Sequence, residues 1–132
     1  MQGEYAGDLR CTVTHGPSGD MITTDAPADN QGKGEAFSPT DLVAAALGSC
    51  ILTVMGIAAR KHNINMNGAT ADIEKEMVTQ PERKIGRISA KITLPASIPT
   101  AQRQILEDAG STCPVYKSLH PDVTIEIIFQ YQ

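Results

Sequence analysis

Hydrophobic residues recur at every second position near both ends of the chain. Leu9, Cys11 and Val13 alternate with polar residues, a period that places one set of side chains on each face of a strand. Residues 21–24 are predicted to form a short return strand after a turn. A final strand is predicted from the alternating residues Val123, Ile125, Ile127, Phe129 and Tyr131. The pattern therefore predicts β structure at both ends of the chain.

The longest hydrophobic segment, residues 42–59, is predicted to form a core helix. Ser38 is a favourable N-cap, Pro39 suits the first helical turn, and Asp41 is placed to complete a capping box. Hydrophobic side chains cover much of the circumference, which predicts burial on several sides. Small and polar residues interrupt the segment, so it falls short of the ~20 strongly apolar residues that span a bilayer.

Residues 69–94 are predicted to form one antiparallel hairpin. One register places Glu76 opposite Arg87 and Asp72 opposite Lys91, which gives the hairpin one ionic and one apolar face. We interpret the ionic face as a solvated surface rather than a binding site.

A second helix is predicted from Pro99 to Gly110, followed by a short turn of helix at residues 113–119. The order of elements is then strands, long helix, hairpin, helix and strand. This order predicts a single α+β domain over residues 1–132.

Composition and charge narrow the class of protein. The chain has 132 residues, of which 41% are hydrophobic and 20% charged, and its formal net charge is −4 at pH 7. An acidic chain lacks the clustered Lys and Arg of nonspecific nucleic-acid binding, so we expect no nucleic-acid partner. The polar start of the sequence does not have the pattern of a secretory signal. We therefore expect a cytoplasmic protein that does not associate with a membrane.

Motifs for metal, phosphate and serine-hydrolase chemistry are missing from the sequence. His15, His62 and His120 stand without a Cys or carboxylate at the short intervals that build a zinc site, so we expect no metal or other cofactor. Gly32-Lys33-Gly34 lacks the spacing of a phosphate-binding loop, and no Gly-x-Ser-x-Gly motif is present. A cysteine protease or transferase stays open, because it needs a histidine that sequence alone does not place beside a cysteine.

Two of the three cysteines are candidates for redox chemistry. Cys50 lies inside the hydrophobic helix, and Cys113 follows Ser111-Thr112 and precedes Pro114. The latter setting predicts a place in the first turn of a helix, where the helix dipole stabilises a thiolate. Cys11 is assigned to the core. A reducing cytoplasm rarely tolerates a structural disulfide, so any bridge is expected to be catalytic, between a nucleophile and a resolving partner.

The segment Ser38-Pro39-Thr40-Asp41-Leu42, continued through residues 44–50 and with Cys113-Pro114-Val115 downstream, resembles the OsmC/Ohr family. The resemblance implies an intertwined α+β homodimer, in which a long buried central helix is wrapped by antiparallel sheets and the active sites lie at the interface. It also implies thiol-dependent reduction of organic hydroperoxides. In that chemistry Cys50 is the attacking thiolate, and Cys113 condenses with the resulting sulfenic acid to a disulfide. An external thiol reductant, such as a lipoylated or dithiol protein, then restores both thiols.

The sequence departs from the family pattern at two supporting positions. The family's peroxidases carry a Glu where this chain has Thr40, with Asp41 adjacent, and an Arg in an N-terminal loop that has none here. Arg10, Lys33 and Glu35 are candidates for an altered charge arrangement. The alternative function is a dimeric protein that binds a small apolar ligand at the interface. Thr40 favours this alternative, whereas Cys113 favours the enzyme.

Overall fold

A computed structural model describes all residues from 1 to 132, and the chain divides into two compact units, residues 1–43 and residues 44–132. The elements in chain order are β1 (Gln2–Gly7), β2 (Arg10–Thr14), β3 (Met21–Asp25), α1 (Pro39–Lys61), β4 (Thr70–Val78), β5 (Lys84–Leu94), α2 (Thr100–Gly110), α3 (Pro114–Ser118) and β6 (Thr124–Tyr131). A single turn of 3-10 helix, Ala28–Asn30, follows β3. The α+β class predicted from the sequence is confirmed.

The first unit holds an antiparallel sheet in the order β1-β2-β3. The strands predicted near Cys11 and at residues 21–24 are present, whereas β1 was not predicted. Leu9 lies outside β2, in a turn where its φ is 63° and its side chain is 46% exposed. Every residue of β2 is half-buried, because no element covers either face of this strand completely. The assignment of Cys11 to the core is therefore wrong.

The start of α1 is the capping box that the sequence predicts. The backbone N–H of Ser38 donates to Oδ2 of Asp41 across 2.8 Å, and the backbone N–H of Asp41 donates to Oγ of Ser38 across 3.1 Å. Two N–H groups that the helix itself leaves unpaired are thereby satisfied. This reciprocal bonding fixes the residue at which the helix begins.

The second unit holds a three-stranded sheet in the order β4-β5-β6. The antiparallel pairing of β4 with β5 places Glu76 opposite Arg87 and Asp72 opposite Lys91, so the predicted register is confirmed. Arg87 Nη1 lies 2.6 Å from Glu76 Oε1 on the exposed face. The structure differs from a wholly antiparallel sheet at β6, which pairs with β5 in parallel. The connection through α2 and α3 is long enough for this crossover.

The core of the second unit lies between α1 and the sheet, with α2 adding to it. Its fully buried hydrophobic side chains are Leu47, Ile51, Met55, Ile88, Ile92 and Leu106, each 0% exposed. Close approach depends on two glycines. A Cβ at Gly48 would lie 2.6 Å from Cδ1 of Ile73, and a Cβ at Gly110 would lie 3.1 Å from Sδ of Met55. Gly110 is thus the last residue of α2, as the sequence predicts, and it is also a packing residue.

The opposite side of α1 is not covered within one chain. The exposed residues on that side are Ala45, Ala46, Ser49, Thr53 and Ile57, of which Ile57 is 66% exposed. The prediction of burial on several sides is thus wrong for the single chain.

The expectation that this segment falls short of a membrane span is also wrong, because α1 is long and apolar enough to cross a membrane. The core helix of a soluble protein can have the same length and composition.

Candidate functional site

The second unit brings the two predicted redox cysteines together. Cys50 lies in the middle of α1 and is half-buried, and Cys113 lies just before α3 and is 0% exposed. Both are free thiols, and Cys50 lies close enough to Cys113 to contribute to the raised pKa of the Cys113 thiol. Two sulfur atoms from distant parts of the sequence are therefore adjacent, and one of them is more accessible than the other.

Cys113 is the N-cap of α3. Its backbone is extended, with φ −64° and ψ 148°, and Pro114 follows as the first helical residue. The backbone N–H of Tyr116 donates to Sγ of Cys113 across 3.3 Å. The sequence places this cysteine within the first helical turn, which is wrong by one position. The cysteine side chain itself supplies the N-cap, so the helix begins one residue later, at Pro114.

The environment of Cys113 raises the pKa of its thiol. Burial is the largest cause, the hydrogen bond from the Tyr116 N–H acts in the opposite direction, and the neighbouring Cys50 adds to the increase. The prediction that the helix start would stabilise a thiolate is wrong here. Burial destabilises the thiolate by more free energy than the hydrogen bond at the helix start stabilises it. Cys113 is thus a protonated thiol at neutral pH.

A charged cluster occupies the first unit, and it contains two of the predicted supporting residues. Arg10 forms an ion pair with Glu35, and its Nη2 lies 3.4 Å from Oδ2 of Asp25. Asp25 is 0% exposed and accepts the backbone N–H of Glu35 across 3.0 Å. This backbone hydrogen bond is the largest cause that lowers the pKa of Asp25, and the Arg10 charge also contributes. The cluster orders the loop after β3.

Sequence reasoning missed Asp25, the buried centre of that cluster. In the sequence it directly follows the predicted strand 21–24 and precedes Ala26-Pro27, and that position does not predict burial. Lys33, the third predicted member, lines a cavity of about 360 Å³ together with Asp8, Leu9, Gln31 and Gly32. The predicted charge arrangement thus consists of an Arg10, Asp25 and Glu35 cluster. The backbone of Lys33 also helps to lower the pKa of Asp25.

Thr40 and Asp41 both take part in the start of α1. Oγ1 of Thr40 lies 3.1 Å from Oγ of Ser38, and Oδ2 of Asp41 accepts the Ser38 hydroxyl across 2.7 Å. These contacts give both side chains a structural role in capping. No group of three or more His, Cys, Asp or Glu side chains in residues 1–132 is arranged to hold a metal ion.

Comparison with known proteins gives one family and many structures of the same fold. Residues 32–128 match the model of the family described as OsmC-like protein. A Psychrobacter arcticus protein assigned to osmotic stress and detoxification is 44% identical, with a TM-score of 0.92 over 98% of this chain and 93% of that one. No curated protein sequence matches the chain.

Two more distant structures carry the words organic hydroperoxide resistance protein. One is from Legionella pneumophila, at 14% identity and a TM-score of 0.77, over 98% of this chain and 93% of that one. The other is from Elizabethkingia anophelis, at 13% identity and a TM-score of 0.74, over 98% of this chain and 94% of that one. At this identity the likeness shows the fold alone. The family match and the 44% identical structure decide membership, and the chain belongs to the OsmC-like family.

Proposed function

We propose that the protein is a thiol-dependent peroxidase that reduces organic hydroperoxides, with Cys50 as the attacking and Cys113 as the resolving cysteine. The observation that carries the proposal is the proximity of two free thiols, one half-buried and one fully buried. Membership in a family whose relatives include organic hydroperoxide resistance proteins supports the same reaction class. A pair of adjacent thiols is the arrangement that a sulfenic acid and disulfide cycle requires.

Cys50, whose sulfur is the more accessible of the two, performs the first step. The Cys50 thiolate attacks the terminal oxygen of the hydroperoxide, the O–O bond breaks, and the departing alkoxide takes a proton and leaves as an alcohol. Cys50 becomes a sulfenic acid in this step. Cys113 is unsuited to it, because its sulfur is fully buried and its pKa is raised. Cys50 is only half-buried in the single chain, so its sulfur is the more accessible of the two.

The second step uses Cys113. Its sulfur attacks the sulfenic sulfur of Cys50, hydroxide leaves and is protonated to water, and a disulfide forms. The Tyr116 N–H holds Sγ of Cys113 in place for this attack. Two electrons from an external thiol reductant then return both cysteines to thiols.

The substrate class follows from the side chains that surround Cys50. The helix around it is rich in Leu, Val, Ile, Met and Ala, and Cys50 itself packs against the core of the second unit. Such surroundings favour a hydroperoxide with an apolar tail, at ~0.8 kcal/mol for each buried CH₂. We expect preference for alkyl hydroperoxides over hydrogen peroxide, increasing with tail length.

The proposed assembly is a homodimer. The uncovered side of α1 presents a row of small and apolar residues, including the 66% exposed Ile57. A second copy of the chain that packs there would remove this surface from water. Sedimentation at low micromolar concentration is expected to give twice the chain mass of 14.1 kDa. A folded species of the single-chain mass would contradict the dimer.

A single-turnover experiment tests the catalytic proposal. The native chain, Cys50→Ser, Cys113→Ser and the control Cys11→Ser are each mixed with an alkyl hydroperoxide, and its consumption and the cysteine oxidation states are followed. We expect no turnover from Cys50→Ser, and one turnover from Cys113→Ser that stops at a trappable sulfenic acid. Cys11→Ser should behave as the native chain. Background consumption by all of them would reject the peroxidase and favour the binding of a small apolar ligand.

A further inference from the structure

We infer that the reductant attacks Sγ of Cys50 in the Cys50–Cys113 disulfide, so that Cys113 is always the leaving group and the mixed disulfide forms on Cys50. The inference rests on the proposed function and names the site at which that function's reductant acts. The observations behind it are the difference in burial between the two sulfurs and the hydrogen bond at Cys113.

Access is the first argument. Thiol–disulfide exchange proceeds by attack of a thiolate on one of the two sulfurs, and the attacked sulfur must be open to approach. Cys113 is 0% exposed within a single chain, so no assembly of chains exposes it. Cys50 is half-buried, and it is the sulfur that an approaching hydroperoxide must also reach. The same approach therefore serves the oxidant and the reductant.

The position of the leaving group is the second argument. When the S–S bond breaks, Sγ of Cys113 carries the electron pair. The Tyr116 N–H, which lies 3.3 Å from Sγ in the reduced chain, donates to this sulfur until a proton arrives. The departing sulfur thus returns to its role as the N-cap of α3. Cys50 lies in the middle of α1, where the backbone N–H groups are bonded within the helix.

The raised pKa of Cys113 opposes its role as the leaving group, but this effect is smaller than that of access. Burial raises the pKa of the Cys113 thiol, and a thiolate of higher pKa leaves more slowly. A sulfur that no thiolate can approach is not attacked at all, so access decides the direction of the exchange.

The reduction of the disulfide takes place in two thiol–disulfide exchange steps. The thiolate of a dithiol reductant bonds to the Cys50 sulfur, the S–S bond breaks, and the Cys113 thiolate takes a proton. The second thiolate of the reductant then attacks the reductant sulfur in the mixed disulfide, which yields an oxidised dithiol and the Cys50 thiolate. A monothiol cannot perform the second step within one molecule. The mixed disulfide on Cys50 therefore accumulates with a monothiol and can be located.

The experiment uses the Cys11→Ser chain oxidised with diamide, so that the disulfide forms without any hydroperoxide. Glutathione is added for a short time, acid stops the exchange, and N-ethylmaleimide blocks the free thiols before trypsin digestion. Cleavage after Arg and Lys places Cys50 in the peptide 34–60 and Cys113 in the peptide 104–117. Mass spectrometry then shows which peptide carries glutathione. The inference predicts at least about tenfold more of it on 34–60.

The controls separate this inference from the proposed function. In guanidinium chloride the burial of Cys113 is lost, and glutathione is expected on both peptides in comparable amounts. Glutathione on 104–117 of the folded chain, or an even distribution there, would overturn the inference. A chain that diamide does not bridge between Cys50 and Cys113 would overturn it as well. A chain that passes this test but consumes no hydroperoxide rejects the peroxidase alone.

Discussion

The backbone N–H of Tyr116 donates to Sγ of Cys113 across 3.3 Å, which ties a buried thiol to the start of a five-residue helix. A helix this short is not stable by itself, and Pro114 at its first position contributes no N–H group. The sulfur is thus both the cap of α3 and the neighbour of Cys50. Its position is fixed before any oxidation takes place.

The formation of the disulfide is expected to accelerate with rising pH. Cys113 must lose its proton to attack the sulfenic acid, and burial raises the pKa of this thiol above that of a free cysteine. The rate should therefore continue to rise through the range in which an ordinary cysteine, of pKa about 8.5, is already ionised. Trapping of the sulfenic acid at successive times and pH values gives the rate. A plateau below pH about 8 would contradict the prediction.

The raised pKa of Cys113 also makes the stability of the folded chain depend on pH. A raised pKa in the folded chain means that the folded state holds the Cys113 proton more tightly than the unfolded state. The corresponding stability is present at neutral pH and is lost as pH rises through the folded pKa. Cys113→Ser should remove this alkaline dependence, and urea unfolding across the alkaline range measures it.

Gly48→Ala is expected to destabilise the second unit. A Cβ at this position would lie 2.6 Å from Cδ1 and 2.7 Å from Cγ1 of Ile73, so the helix and the strand must separate or Ile73 must change rotamer. Overpacking of this kind costs about 1–3 kcal/mol, which exceeds the ~1 kcal/mol that Ala gains over Gly in a helix. Urea unfolding should show a net loss of about 1 kcal/mol.

Gly56→Ala is the matched control for that variant. It lies in the same helix, and a Cβ there would meet nothing within 4 Å in the single chain. Helix propensity then acts alone, and we expect a gain of about 0.5–1 kcal/mol. If both variants lose the same amount of stability, contact with Ile73 is not the cause.

Local chemistry made some features predictable from the sequence. The capping box at Ser38 and Asp41 involves residues three positions apart, so propensity alone identifies it. The register that pairs Glu76 with Arg87 is fixed by alternating charge along two neighbouring strands. The approach of Cys50 to Cys113 was expected only through the family resemblance, because spacing along the chain does not fix a tertiary contact.

Other features depend on burial, which the pattern of residue types does not give. The raised pKa of Cys113 follows from its complete burial, whereas a helix start alone suggests the opposite direction. The sequence places Asp25 in a loop, whereas in the structure it is the last residue of β3, is fully buried and accepts a hydrogen bond from the following loop. The parallel pairing of β6 with β5 depends on how α2 and α3 carry the chain across the sheet, and the alternating pattern of β6 suits either direction.

Asp25→Asn is expected to remove part of the acid sensitivity of the first unit. The folded carboxylate accepts the Glu35 N–H and faces Arg10, so its pKa is lowered from the ordinary value. A lowered pKa contributes stability above the unfolded pKa of about 3.9, and this contribution is lost as pH falls through the folded pKa. The variant should be less stable at neutral pH and change less between neutral and acid pH. Chemical unfolding as a function of pH gives both quantities.

Glu35→Gln tests whether the backbone N–H of Glu35 or its side-chain charge controls the pKa of Asp25. It removes the ion pair with Arg10 but keeps the backbone N–H, which is the largest cause of the lowered pKa. Most of the acid dependence assigned to Asp25 should therefore persist in this variant. Its complete loss would show that the charge of Glu35, and not its backbone, controls the buried carboxylate.

Tyr131→Phe is expected to change the alkaline limit of the second unit. The Tyr131 hydroxyl donates to Oε1 of Glu107 across 2.9 Å, and burial, followed by this hydrogen bond, raises the pKa of Tyr131 to about 12. The folded state thus holds the phenol proton more tightly than the unfolded state, whose pKa is about 10. The stability linked to this proton is complete below pH about 10 and is lost as pH rises from there towards 12.

The variant should lose about 1 kcal/mol at neutral pH, since a partly buried hydrogen bond is removed, and the deficit should shrink above pH about 10. Urea unfolding at neutral and alkaline pH measures this difference. A spectrophotometric titration of the phenolate should show a late-titrating component that the variant lacks. A native titration curve without that component, or a deficit that is constant with pH, would show that Tyr131 ionises as a free phenol. In that case the bond to Glu107 would not couple the end of β6 to α2 in a pH-dependent way.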